Sequence, residues 1–317
     1  MTGKGKMGNI LTVNLNAAID KVYAVDDFKV GGVFRPREMT VTAGGKGLNV
    51  ARVSHYLGES VVATGFLGGG NGKFIAQKVG ESGISAEFMQ ISGESRICIA
   101  VIDQKNNTST ELLEAGPTIT PTECENFIKH YRQLLSDCMV VTASGSLPKG
   151  APSDFYQKLI IEAKTQNVPF ILDTSGAALV NGIGGLPYMI KPNQEEAEKL
   201  LNLSLVTLEE QAAAIRQLRQ KGIELPCITL GKNGCIVGIE EEVYHFYGPV
   251  IEVLNTVGSG DSFVAGCAVG IARNMRPINT IQLGMASGMA NTQFFETGMV
   301  SLELVNNFLK QIRYELI

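Results

Sequence analysis

The segment Asn255-Thr256-Val257-Gly258-Ser259-Gly260-Asp261-Ser262 sets a carboxylate beside two glycines, just ahead of the small-residue run FVAGCAVGIA over 263–272. Gly258 and Gly260 permit backbone conformations in which successive N–H groups point one way. The positive end of the helix that follows adds to them, so the segment suits an anion. There Asp261 can take a proton from a hydroxyl while Gly258, Ser259 and Gly260 stabilise charge on a phosphoryl group in transfer. Read as structure alone, the same residues are a turn with an acidic first helical turn.

A second cluster, Ala43-Gly44-Gly45-Lys46-Gly47-Leu48-Asn49-Val50-Ala51, also opens a helical pattern and places Lys46 and Asn49 among exposed N–H groups, which suits a polyhydroxylated or phosphorylated ligand. It is not the dinucleotide fingerprint, because no glycine stands three after Gly47. GxxxxGK[ST] occurs nowhere, so ATP, if used, is held without a P-loop. Asp20 follows the first strand pattern, where open α/β sheets bind ligands; it is either a holder of sugar hydroxyls or a solvated loop carboxylate. Ser144 and Ser146 follow a later strand, and Ser146 stands three before Lys149, but a serine nucleophile of that spacing lacks its companion motifs. In Lys191-Pro192-Asn193-Gln194-Glu195-Glu196, Asn193 and Glu196 fit a capping box, and equally could organise magnesium beside phosphates. Thr229, Gly231 and Gly234 belong to a strand and glycine turn that either seats a nucleotide or is only a hairpin.

The elements that must position these residues alternate. Apolar runs at 9–14, 61–66, 138–143, 169–173, 187–191 and 226–230 read as core strands. Helical periods fall at 47–58, 72–81, 121–135, 153–166, 194–201, 207–221, 260–273, 277–295 and 301–314. That rhythm predicts an α/β fold, a Rossmann-like three-layer αβα body around a largely parallel sheet. Residues 21–42 and 86–114 break it, reading as β without intervening helices, and would pair into a small β-sheet lid over a cleft. Neither an internal repeat nor a long polar linker divides residues 1–317, which are expected to form one domain.

Composition bounds the function. The chain has 317 residues, 27 Lys+Arg against 31 Asp+Glu and a net charge of −4, so there is no basic excess to neutralise nucleic acid. No apolar run is long enough to span a bilayer, and the polar start is no signal peptide. Six cysteines without a CxxC pair read as buried free thiols of a cytoplasmic protein. Thirty-six glycines, about 11% against a usual roughly 7%, call for many turns and close backbone approaches.

The order of the motifs is more specific than any one of them. AGGKGLNVA, ILDTSG, IKPNQEE, ITLGKNG and NTVGSGDSFVAG together resemble the PfkB, or ribokinase-like, carbohydrate kinase family over essentially the whole chain. Within it, LTVNLNAAIDKVY, GFLGGGNGKFI, SRICIAVID, TELLEAGP and SGSLPKG look like the hexose-phosphate branch, the tagatose-6-phosphate kinases and 1-phosphofructokinases. LEAGP (113–117) leans toward the former.

The resemblance implies transfer of the γ-phosphoryl group of ATP, with Mg2+, to a free primary hydroxyl of a ketohexose phosphate. Asp261 would be the catalytic base, with Gly258, Ser259 and Gly260 as its anion hole. Asp20, Gly45, Lys46 and Asn49 would hold the sugar, with Ser144 and Ser146 near it. Arg96 would meet the existing phosphate from the lid, where a guanidinium fork suits the ligand, and Arg35 is a second cationic candidate. Lys191, Asn193 and Glu196 would serve the ATP phosphates and magnesium, while Thr229, Gly231 and Gly234 border the nucleotide. Val41 stands where some relatives carry a lysine, so no phosphate contact is expected there, and the residues before Met7 look like an extension. Two other functions compete. A non-catalytic sugar-phosphate sensor would need no base, and an NAD-dependent oxidoreductase lacks its GxGxxG. Strand edges left by the lid would allow a homodimer.

Overall fold

The computed structural model describes residues 8–106 and 108–317; the expected extension before Met7 lies outside them. Strand β1 (Asn9–Asn14) buries Ile10 toward one helical layer and Leu11 and Val13 toward the other. A strand covered on both faces has this continuous apolar character. It pairs parallel with β4 (Val61–Gly68) on one side and β9 (Cys138–Ser144) on the other. Beyond β9 lie β10 (Phe170–Asp173), β11 (Met189–Ile190) and β12 (Leu225–Thr229), all parallel. The sheet then turns antiparallel through β13 (Cys235–Ile239), β14 (Glu242–Tyr247) and β15 (Arg313–Leu316). At its other edge β5 (Ser85–Ala86) and β6 (Met89–Ile91) pair with β4.

Helices cover both faces, giving the expected three layers. α1 (Lys46–Tyr56), α8 (Ser259–Ala272), α9 (Pro277–Asn291) and α10 (Leu302–Leu309) pack on one. α3 (Pro121–Leu134), α4 (Phe155–Thr165), α5 (Gly176–Gly182), α6 (Gln194–Leu201) and α7 (Leu208–Gln220) pack on the other. α2 (Gly69–Glu81) joins α1 under the second sheet. That sheet has the order β3-β2-β7-β8, from β2 (Ala18–Val25), β3 (Glu38–Gly44), β7 (Arg96–Asp103) and β8 (Thr108–Leu113).

Three expectations are corrected. The second stretch of the small sheet begins at Arg96 rather than at 86, because residues 86–91 stay on the main sheet, where the Glu87 amide donates to the Ala63 carbonyl at 2.9 Å. The helix expected over 301–314 stops at Leu309. Tyr314 instead packs 5.4 Å from the Phe246 ring, and antiparallel pairing with β14 overrides the helical period. Likewise α9 ends at Asn291 rather than 295, where the Asn291 side chain turns to the neighbouring loop.

The strand order places β1 between neighbours that leave it in opposite directions, the switch point at which sheets of this kind form their crevice. Asn14, Ser144, Asp173 and Thr229 end β1, β9, β10 and β12 there, and Lys191 directly follows β11.

Candidate active site

The start of α8 is held open by its loop. Gly258, the N-cap, has φ 81°, and a Cβ there would stand 2.5 Å from Thr297 Cγ2, so only glycine fits. Buried Asn291 fixes both sides, its Nδ2 donating to the Val257 carbonyl at 2.9 Å and its Oδ1 accepting from the Gly298 amide at 2.9 Å. The Ser259 amide and hydroxyl both donate to the Thr256 carbonyl, at 3.2 and 2.8 Å. Among the described residues, the helix-start amides left without an acceptor are therefore those of Gly258, Gly260 and Asp261, so of the expected anion hole Gly258 and Gly260 keep open donors while the Ser259 amide is spent on Thr256.

Asp261 is buried, and Asn49 Nδ2 donates to its Oδ2 at 2.7 Å. Burial, helped by the nearby Asp173 carboxylate, pushes Asp261 up to about 6, against the pull of Asn49, Lys46 and Lys191. A carboxyl poised there is suited to general-base work near neutral pH. Lys191 lies under the helix start: a Cβ at Gly260 would be 3.4 Å from its Nζ.

A second group of side chains sits between β1 and the small sheet. Burial raises Asp20 while Arg52 and Arg96 oppose the rise. Gly44 leaves room for that carboxylate, since a Cβ would stand 1.9 Å from Asp20 Oδ2. Gly45 caps α1, receiving the Leu48 and Asn49 amides at 3.0 Å, and Lys46 is exposed beside it. Arg96 Nε donates to the Asn16 carbonyl at 3.1 Å and Nη1 to the Glu114 carbonyl at 3.0 Å. Asn16 Nδ2 donates to Ser146 Oγ at 3.3 Å. Among the described residues, the buried Asn16 Oδ1 and Ser144 Oγ have no hydrogen-bond partner.

Across the crevice Asn193 and Glu196 form the expected capping box, the Glu196 amide donating to Asn193 Oδ1 at 2.8 Å and the Asn193 amide to Glu196 Oε2 at 2.9 Å. The Thr229 amide bonds the Pro192 carbonyl at 3.0 Å, which sets Thr229 beside that box, and Gly231 and Gly234 flank the short turn leading into β13. Arg35 is exposed between β2 and β3, with no hydrogen bond or ion pair to these side chains among the described residues.

A family model described as pfkB family carbohydrate kinase matches residues 12–302. The chain belongs to that family. As a pfkB carbohydrate kinase it is a phosphotransferase with a hydroxyl acceptor. A Staphylococcus aureus protein provisionally named a phosphofructokinase is 30% identical, with a TM-score of 0.85 over 97% of this chain and 99% of its own. A Thermotoga maritima protein provisionally named a 1-phosphofructokinase is 27% identical, with a TM-score of 0.89 over 97% and 99%. Escherichia coli phosphofructokinase-2, 24% identical, shares the fold with a TM-score of 0.91 over 96% and 99%.

Asp173, Asn291 and Arg52 of this pfkB kinase also contact the site, and none of them is among the residues its motifs predict. Asp173 stood in the quoted ILDTSG and ends a core strand, the position that singled out Asp20. Arg52 follows Asn49 by three, on the same helical face. Asn291 carried no signal, since its role depends on a loop folding back from 297–299.

Proposed function

We propose that this kinase phosphorylates a ketohexose phosphate, with tagatose 6-phosphate as its acceptor and tagatose 1,6-bisphosphate as its product. The observation that carries the reading is Asp261 Oδ1. Oδ2 is taken by Asn49, while among the described residues Oδ1 has no hydrogen-bond partner and belongs to the residue that carries one of the open helix-start donors. ATP with magnesium would supply the γ-phosphoryl group. Asp261 Oδ1 takes the proton as the acceptor's oxygen bonds to phosphorus and the bond to the ADP oxygen breaks. The Gly260 and Asp261 amides and the Lys191 ammonium hold the phosphoryl oxygens.

The residues fit the metal. Asn193 Oδ1 and Glu196 Oε2 are spent in the cap, which leaves Glu196 Oε1 for a hard cation or its waters. Among the described residues no three His, Cys, Asp or Glu side chains converge, so magnesium would be held by a carboxylate, waters and phosphate oxygens, as it prefers.

Arg96 supports a substrate that is already phosphorylated. Two carbonyls hold Nε and Nη1, which fixes the fork and leaves Nη2 without a hydrogen-bond partner among the described residues. LEAGP supplies that frame: Glu114 accepts from Arg96, and the Ala115 carbonyl accepts from Asn16 Nδ2 at 3.4 Å. Fructose 1-phosphate is the second reading, favoured by the name of the Thermotoga protein. The buried free thiols of Cys98, Cys124, Cys227, Cys235 and Cys267 suit a cytoplasmic setting, and among the described residues no helix is long and apolar enough to cross a membrane. Exposed Ile102, Leu112 and Leu113 on β7 and β8 support a homodimer through the small sheet.

The test is a coupled ADP-release assay with tagatose 6-phosphate, fructose 1-phosphate, fructose 6-phosphate and fructose side by side. We expect the highest kcat/KM with tagatose 6-phosphate. Turnover of free fructose alone would overturn the phosphosugar reading, and no ADP release with any of the four would leave a sensor in its place.

A further inference from the structure

One guanidinium ties the two halves of the site together. Arg52, on α1, donates from Nη2 to Asn49 Oδ1 and, at 3.4 Å, to the Thr297 carbonyl, and from Nη1 to the Ala43 carbonyl at 2.7 Å. Asp20 and Asp261 both act on its charge, as does Tyr56 on its own helix. It therefore bridges the end of β3, the loop that braces Gly258, and the residue that touches the base.

Arginine offers only donors, so an amide side chain facing it must present its oxygen. With Oδ1 so fixed, Asn49 can only turn its NH2 toward Asp261, and Asp261 Oδ2 accepts at 2.7 Å. A flipped Asn49 would set N–H against guanidinium and carbonyl oxygen against carboxylate, two repulsive contacts. We propose that Arg52 is a positioning residue for phosphoryl transfer: by fixing Asn49 it commits Asp261 Oδ2 to the protein and leaves Oδ1 as the single atom that takes the acceptor's proton. The inference rests on Asp261 being the base.

A double-mutant cycle tests it, with Arg52→Gln, Arg52→Lys, Asn49→Ala and the Arg52→Gln/Asn49→Ala double variant. Misplacing a reacting group by about 1 Å costs roughly 100-fold in rate, which is the fall in kcat expected for Arg52→Gln, with the KM for ATP unchanged. Arg52→Lys keeps the charge but loses the fork, and should also fall at least about tenfold. In the Asn49→Ala background, removing Arg52 should then cost little more.

The pH profile separates positioning from charge. Asp173, Lys46 and Lys191 also face Asp261, and losing Arg52's charge alone would move the acid limb equally in both backgrounds. An upward shift that shrinks in the Asn49→Ala background is the expected result. Equal losses in both backgrounds, or a kcat for both Arg52 variants within threefold of the parent, would overturn the proposal. Should Arg52→Gln melt before assay temperature, Arg52→Lys carries the comparison. An active Asp261→Asn enzyme would sink the base assignment; a dead one beside unimpaired Arg52 variants would sink only the role of Arg52.

Discussion

Lys191 Nζ lies 3.1 Å from Asp173 Oδ1, with side-chain exposures of 7% and 4%, joining the ends of β10 and β11 beneath the start of α8. Burial opposes the lysine's charge, yet Asp173 outweighs it and holds Lys191 above its usual range. The same Asp173 charge helps to lift Asp261. One ion pair therefore holds a charged lysine beneath the start of α8 and tunes the Asp261 carboxyl.

Breaking that pair should be worse than removing it. Lys191→Met or Asp173→Leu strands a buried partner and should each cost on the order of 3–5 kcal/mol, whereas Lys191→Met/Asp173→Leu should recover much of the loss. Urea unfolding of the three variants measures this, and a double variant as unstable as the sum of the singles would contradict it. Lys191→Met should also raise the KM for ATP.

Asp261 should set the acid limb of the rate. With its carboxyl raised to about 6, kcat should climb as pH rises through about 6 and level above 7, and Asp261→Asn should lose at least about 100-fold with substrate binding retained. The stability effect has the opposite sense. A folded value above the ordinary 3.8 means that the native state binds the proton more tightly, so stability is gained as pH falls from about 6 toward 4. At pH 8 the buried charge weighs against the fold, and Asp261→Asn should raise Tm there, an advantage on the order of 2–3 kcal/mol that fades below pH 4. An Asn variant that melts lower than the parent at pH 8 would be the contrary result.

How much of this was legible follows from how far each feature reaches along the chain. The core strands were readable because residues such as Ile10 and Val141 sit in short apolar runs bounded by turns. Asp261, Lys191 and Asn193 were readable because each belongs to a compact motif at a strand end or helix start. β15 was not, since Arg313–Leu316 is a strand only through its pairing with Tyr244–Tyr247 of β14, far earlier in the chain. Asn291 was hidden for the same reason, since it closes on Gly298, and of Arg52 only the spacing to Asn49 was local while its bond to Thr297 was not.

The small sheet should loosen without the body melting when Asp103 is removed. Its carboxylate accepts from the Asp27 and Phe28 amides at 2.9 and 2.7 Å and from Asn106 Nδ2 at 2.7 Å, pinning the segment after β2 to the end of β7. Burial would raise this carboxyl, but the Asn106 side chain and the backbone amides outweigh it and hold it at about 2. The pinning is thus complete above pH 4 and is lost as pH falls toward 2. Asp103→Ala should speed hydrogen exchange at residues 26–28 while Tm stays near the parent's, and unchanged exchange there would count against the pin.

Arg96 should separate phosphosugar from free sugar. With Nε and Nη1 held by the Asn16 and Glu114 carbonyls, a phosphate would be met by a prealigned Nη2, and charge-assisted bonds to phosphate are roughly twice as strong as neutral ones. Arg96→Gln loses that charge and should raise the KM for tagatose 6-phosphate by about tenfold or more while leaving the KM for ATP alone. Arg96→Lys keeps the charge without the fork and should fall between. Because free fructose carries no phosphate, whatever turnover it supports should be unchanged by either substitution. A parallel loss with fructose would mean that Arg96 supports the Asn16 loop rather than the phosphate, and the acceptor's existing phosphate would then have to be met elsewhere.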